Sequence, residues 1–472
     1  MIKQKMKPLA IKEIVRAVGA LDYTSTARDE KISSVAFNSK DVEPGALFIP
    51  LKAQRDGHDF VEDAIQRGAA ATFWANAPKD APTTIPVIQV EDTYQAFCNL
   101  AKYYLQLIHP KVVGITGSAG KTTTKDMTAA GLSAAFNVHK TKENFNNEIG
   151  VPYTILTMPE DTDYLVVEMG MQGFGEIRHL VSICPLDVAI ITLIGESHIE
   201  FLGSRENIAK AKLEILEGLK PEGTFIYPGD EPLIEERVKE RTDFHKIRVG
   251  LDDSFDLYAQ NITREVLSTS FTTNLSPQLT LTIPVIGDYN VKNALMACGV
   301  AYSQGIAVEQ VKDTICHFEM SSQRNQWLKG IKNCQLFNDT YNANPSAMRA
   351  VVHNFVRLPK EGADSRKILV LGDMLELGEY SAEMHASISQ EITKEQVAEV
   401  YLLGREIRPL KDALLKQGYP EENLYYFEED KQALITTLKE HMQEQDQILL
   451  KASHSVGLQE VVDDLSQESH TL

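Results

Sequence analysis

The sequence predicts an α/β protein centred on a mainly parallel, doubly wound sheet. Three observations lead there. A short apolar run from Lys111 to Ile115 breaks into the glycine-rich stretch Gly117-Ser118-Ala119-Gly120-Lys121-Thr122-Thr123-Thr124, and a helical segment from Lys125 to Ala135 follows. Two more near-continuous apolar runs, Tyr164 to Gly170 and Val188 to Gly195, are separated by helical segments, as buried parallel strands are. A second alternation of strand and helix begins near residue 321, with strands at Lys367–Asp373, Val400–Gly404 and Gln447–Lys451.

The glycine-rich stretch reads as a phosphate-binding loop between strand and helix. Glycines let successive backbone N–H groups curl around an anion, and the helix N-terminus adds its positive dipole end. Lys121 can reach the outer phosphates, and the Thr122 hydroxyl can hold magnesium. The strict spacing would put a glycine where Ile115 stands, so the loop is a variant.

The chain has 472 residues, which at about 150 per domain suggests three. Residues 1–108 form a small α/β unit, 109–320 the nucleotide unit and 321–472 a second, Rossmann-like unit, with a polar hinge around Phe318 to Gln326. With 43% hydrophobic and 24% charged residues, the composition is that of a globular protein able to bury real cores. A net charge of −19 argues against nucleic acid or an anionic membrane as partner. The five cysteines are scattered without metal-ligand spacing and read as reduced thiols of a cytoplasmic protein. Met1 to Ala10 carries lysines but no apolar run behind them, so no signal peptide is expected, and no stretch is long enough to span a membrane.

In the first unit, Ala46 to Ile49 reads as a strand after the Pro44-Gly45 turn, and Asp59 is placed to cap a helix running towards Gly68. In the second, Glu168 ends a strand where a magnesium-binding acid would sit. His198 follows the next strand, and as a rule such a histidine is a hydrogen-bonded loop residue. Lys212 lies on an amphipathic helix start, where lysines ordinarily face solvent. Asn144, Asn146 and Asn147 supply amides that suit a polar neutral ligand. Asn290 and Asn293 share one helix face. In the third unit, Asp339-Thr340-Tyr341-Asn342-Ala343-Asn344-Pro345 and Leu371-Gly372-Asp373-Met374-Leu375-Glu376-Leu377-Gly378 read as loops after strands.

Taken together, from about Phe37 to Lys451, these motifs closely resemble the Mur ligase family of peptidoglycan synthesis. The family's Thr-Gly-x-x-Gly-Lys-Thr loop matches Thr116 to Thr122. The resemblance implies three-domain architecture and ATP and Mg2+ as cofactors. It places ATP on Gly117, Ser118, Ala119, Gly120, Lys121, Thr122, Thr123, Asn290, Asn293, Arg324 and Asp339. It places magnesium on Thr122, Glu168, His198 and a carbamylated Lys212, with Lys121, His198, Lys212 and Asp339 as the catalytic set. Ser39, Asn144, Asn146, Asn147, Asn342 and Asn344 would touch substrate. The Tyr-Asn-Ala-Asn-Pro and Leu-Gly-Asp-Met-x-Glu-Leu-Gly motifs look like those of the member that adds D-Ala-D-Ala to UDP-N-acetylmuramoyl-tripeptide. That implies an ATP-dependent peptide ligase working through an acyl phosphate, as a monomer, with UDP held by the first unit and D-Ala-D-Ala by the last. Three positions depart from the family pattern: Tyr289 for a common His, Asn38-Ser39-Lys40 for Asp-Ser-Arg, and Gln323-Arg324 for Gly-Arg. Another Mur ligase, a folylpolyglutamate synthetase-like amide ligase and a P-loop NTPase switch remain as alternative readings.

Overall fold

In the computed structural model, residues 6–24, 31–360 and 365–467 are described. The first five residues of the Met1–Ala10 stretch lie outside that set. Among the described residues the chain builds three larger sheets and one two-stranded ribbon. The first sheet has five strands in the order Asp22–Tyr23, Val87–Gln89, Ala69–Trp74, Ala46–Phe48, Ser34–Ala36. All of its pairings are parallel except the one to Asp22–Tyr23. The helix beside it, Val61–Gln66, is preceded by a 3₁₀ turn, Gly57–Phe60. Asp56 caps that turn by accepting from the His58 N–H at 3.0 Å, so the cap falls on Asp56 and not on Asp59. A carboxylate just before a turn meets free N–H groups that one inside it does not.

The central sheet has nine strands. Seven are parallel, in the order Leu257–Arg264, His245–Gly250, Leu219–Pro228, Leu186–Ile191, Lys111–Thr116, Tyr164–Glu168, Val138–Lys140. Thr269–Thr273 and Ser276–Ile283 add an antiparallel edge. Register aligns Glu168 with Ile115, and Ile191 with Thr116, so three strands end together at one edge. That is where ligands of open parallel sheets gather. The chain leaves Lys111–Thr116 and enters the helix Lys121–Ser133 directly after Gly120. The helix therefore starts four residues before the expected Lys125. Thr122, Thr123 and Thr124 are weak helix formers by propensity, but they are buried, and burial overrides propensity.

The last sheet has six strands, Gln326–Lys329, Gln335–Asn338, Gln447–Lys451, Lys367–Gly372, Glu399–Leu403 and Leu424–Phe427, parallel after the first pair. The first and central sheets are fastened by the helix Thr93–Ile108, which packs on Gly150–Leu156. Its fully buried Tyr104 donates to the Met158 carbonyl and accepts from the Lys7 N–H, both at 2.7 Å. At the other junction, Ser321 N–H and Oγ both donate to Asp126 of the Lys121–Ser133 helix, at 3.2 and 2.8 Å. Among the described residues no helix is long and apolar enough to cross a membrane.

Candidate active site

The glycine loop owes its shape to two contacts. Gly117 has φ of 150°, and a Cβ there would stand 1.9 Å from Thr192 Oγ1. Gly120, at φ 82°, turns the chain into the helix, and a Cβ would crowd Asn293. Only glycine fits either position. Lys121 curls back, its Nζ donating to the Gly117 carbonyl at 2.9 Å. Desolvation lowers its pKa, Glu168 pulls it back up, and Arg324 pushes it down further.

A cavity of about 530 Å³ opens over this loop. From the central sheet it takes Ser118, Ala119, Gly120, Lys121 and Thr123, with Asn290 and Asn293 on the facing helix. Arg324, Asp339, Asn342 and Asn344 close it from the last sheet. Eleven of the residues expected from sequence to hold nucleotide or substrate thus share one wall. Asn293 Nδ2 donates to Asn290 Oδ1 at 3.1 Å, which fixes the pair. The Arg324 guanidinium lies 3.9 Å above the Tyr341 ring. Asp339 accepts from the Asn325 N–H at 3.2 Å and pairs with Lys451 Nζ, a buried partner that sequence reasoning missed. The Tyr289 hydroxyl donates to Asn325 at 2.7 Å; burial, with the Asp339 charge, holds its pKa well above the usual value.

A second cluster lies beside the loop. Thr122 Oγ1 donates to Glu168 Oε2 at 2.9 Å, and Asn146 Nδ2 to Glu168 Oε1 at 2.9 Å. Glu168 is 1% exposed and Thr122 2%. Two buried hard oxygens fit magnesium, which takes one or two protein oxygens and fills its octahedron with water and phosphate. Among the described residues there is no group of three or more His, Cys, Asp or Glu that would cage a metal by itself. Lys212 is 2% exposed, against the expectation that lysines on this helix face solvent. Burial, aided by the Lys121 charge, drops its pKa well below the usual value, which favours the neutral amine. The helix Arg205–Leu213 is too short for its pattern to show which face is covered; only the packing shows it.

His198 heads a short helix, Ile199–Leu202, at φ 64°. Its Nδ1 lies 2.5 Å from Glu376 Oε2 in the last sheet's loop, without the alignment of a regular hydrogen bond. Asn344 lies across the same junction. Its Oδ1 caps the helix Pro345–Arg357 through the Ala347 N–H at 2.9 Å. Its Nδ2 donates to the Ser118 carbonyl at 3.2 Å and to Ser197 Oγ at 2.8 Å. Glu196 accepts from Ser346 N–H and Oγ nearby, at 3.0 and 2.5 Å. Asn147 Oδ1 accepts from the Gly150 N–H at 2.9 Å, and the residue lines a further cavity of about 610 Å³ with Tyr94, Gly170, Gln172 and His179. Asn144 is exposed. Ser39 stands apart, buried in the first unit against Asp63.

Comparison with known proteins agrees with this geometry. Residues 31–104 match the Mur ligase family catalytic domain, 115–301 the Mur ligase middle domain, and 323–454 the Mur ligase glutamate ligase domain. A Bacillus subtilis UDP-N-acetylmuramoyl-tripeptide–D-alanyl-D-alanine ligase is 39% identical over 98% of this chain and 99% of its own. A crystal structure of MurF from Acinetobacter baumannii superposes with a TM-score of 0.86 at 25% identity, over 98% of this chain and 100% of that one. MurF from Thermotoga maritima, solved with ADP, gives 0.78 at 26% identity, over 91% and 96%. With such a relative matching from end to end and family domains in succession along it, the chain belongs to the Mur ligase family.

Proposed function

We infer that the chain is an ATP-dependent ligase that joins D-alanyl-D-alanine to UDP-N-acetylmuramoyl-tripeptide for peptidoglycan synthesis. The observation that carries the reading is the cavity in which the phosphate loop, the Asn290–Asn293 pair and the Arg324–Asp339 wall meet. The three-unit division at 108 and 320 goes with it. The first unit would hold the UDP-sugar, the second ATP and the last D-Ala-D-Ala, with the reaction placed in the cytoplasm as a monomer.

A carboxylate is a poor electrophile at neutral pH and must be activated. Transfer of a phosphoryl group between anions needs charge neutralisation and positioning more than covalent help. Loop N–H groups and the Lys121 ammonium neutralise the outer phosphates. Asn290 and Asn293 orient the adenine side, and Arg324 and Asp339 grip the nucleotide from the last unit. Thr122 and Glu168, with His198 and a carbamylated Lys212, are the residues that would hold magnesium, whose charge steadies the phosphates. The tripeptide's terminal carboxylate takes the γ-phosphoryl group as the β–γ P–O bond breaks and ADP leaves. The neutral D-Ala-D-Ala amine attacks the acyl carbon, the C–N bond forms, the C–O bond breaks, phosphate leaves and the amine's extra proton goes to it. The cavity beside Gly170 and Gln172 opens close to Glu168 in the chain and is suited to the sugar-peptide.

The test is incubation with ATP, D-Ala-D-Ala and the UDP-tripeptide carrying oxygen-18 in its terminal carboxylate, read by mass spectrometry. Pentapeptide should form, with one label in released phosphate. No product from either the lysine or the diaminopimelate tripeptide would overturn the reading.

A further inference from the structure

We propose that Glu376 is a positioning residue for His198, fixing the orientation of the imidazole from the last unit. The proposal rests on the reading of His198 as a residue of that site. Glu376 belongs to the loop after the strand Lys367–Gly372, at the carboxyl end of a parallel strand where functional groups collect.

Three features set this contact apart from an ordinary surface pair, which contributes little. The carboxylate has both oxygens engaged on the central unit: Oε2 lies 2.5 Å from His198 Nδ1, and Oε1 accepts from Gln172 Nε2 at 3.4 Å. Gln172 follows the strand that ends in Glu168, so one side chain touches both loops flanking the site. Secondly, His198 and Glu376 both hold left-handed backbones, at φ 64° and 62°. Non-glycine residues persist there only when their surroundings dictate it, and such strain clusters at functional sites. Thirdly, the loop is docked by its backbone as well. The Glu376 carbonyl accepts from the Glu200 N–H at 3.2 Å, and the Tyr380 hydroxyl donates to the Gly203 carbonyl at 3.2 Å.

An imidazole whose Nδ1 faces a carboxylate keeps Nε2 as its free nitrogen and has its ring plane set by that contact. The ring can therefore take its working orientation only while the last unit is docked. Glu376 makes that arrival a condition of the chemistry and not just of substrate delivery.

The experiment compares Glu376→Ala, Glu376→Gln, Glu376→Asp, Tyr380→Phe and His198→Ala. Two quantities are measured: steady-state kinetics with all three substrates, and the nitrogen-15 shifts of the His198 ring in protein free of nucleotide and metal. Glu376→Ala and Glu376→Gln should lower kcat about 10- to 100-fold with the KM for ATP nearly unchanged. Glu376→Asp should recover part of the loss. The ring shifts should change in Glu376→Ala and stay as in wild type in Tyr380→Phe. A kcat within twofold of wild type in Glu376→Ala, unchanged ring shifts, or the same changes in Tyr380→Phe would overturn the proposal. An active His198→Ala would instead overturn the role given to His198.

Discussion

Lys121 and Lys212 are the same side chain in two environments, and their chemistry should separate them. Lys121 bonds back to its own loop at Gly117 and faces the cavity. Lys121→Ala should leave the fold intact and cut turnover at saturating ATP about 100-fold or more, as loss of a charge-stabilising donor does. Lys212 is buried with its charge disfavoured, so the neutral amine is free to react with carbon dioxide. Lys212→Ala should be nearly inactive and partly rescued by short carboxylates, and Lys212→Glu should outperform Lys212→Arg. The reverse order in an activity assay would make Lys212 a plain cation. A third residue sets a pH response. Burial lowers the His139 pKa from 6.5 to about 4, with Lys142 pushing the same way. The unfolded chain then binds the extra proton between pH 6.5 and about 4. The His139 contribution to stability must therefore fall with acid across that window, by on the order of 3 kcal/mol, and is constant below it. His139→Gln should flatten the denaturation midpoint against pH over the same range.

At the scale of elements, the helix after the phosphate loop carries its own ion cluster. Lys125 and Asp126 are 1% and 2% exposed, and Asp126 also pairs with Lys140 at 2.6 Å. Burial alone would raise the Asp126 carboxyl, but Lys125 and Lys140 outweigh it and hold it below its usual value. Asp126→Ala should cost about 3–5 kcal/mol in chemical denaturation, because Lys125 is left buried without its partner. A loss below 1 kcal/mol would show the cluster to be solvated. What sequence made legible follows the same division. The strand, glycine loop and Lys121 are contiguous, so local pattern announces their geometry. The strand-end acid Glu168 is readable because a parallel strand delivers its last residue to a known edge. Lys212 looked solvated because nine helical residues carry too little pattern to show a buried face. Glu376 and Lys451 were missed because each acquires its meaning from a partner far along the chain, brought near only by the packing of whole sheets.

At the scale of the molecule, buried polar ties help to join the units among the described residues. Tyr104 links three segments through one hydroxyl. Tyr104→Phe should lower stability by about 1–3 kcal/mol, since it strands the buried Met158 carbonyl and the Lys7 N–H, while activity per folded molecule stays unchanged. A parallel loss of activity would mean that the first unit's attachment also tunes the site.

Asn344 has a consequence for how the last unit can move. Its oxygen serves its own helix, and its nitrogen serves the opposite unit. For Asn344, separation of the two units breaks bonds only on its nitrogen side, where water can replace them at a net cost of about 0.5–1.5 kcal/mol each. The oxygen keeps the helix end wound throughout. The last unit can thus swing away without fraying the element that faces the phosphate loop, and it returns with that surface already formed. A clasp that releases without unravelling suits an enzyme that must admit and discharge large substrates at every turnover.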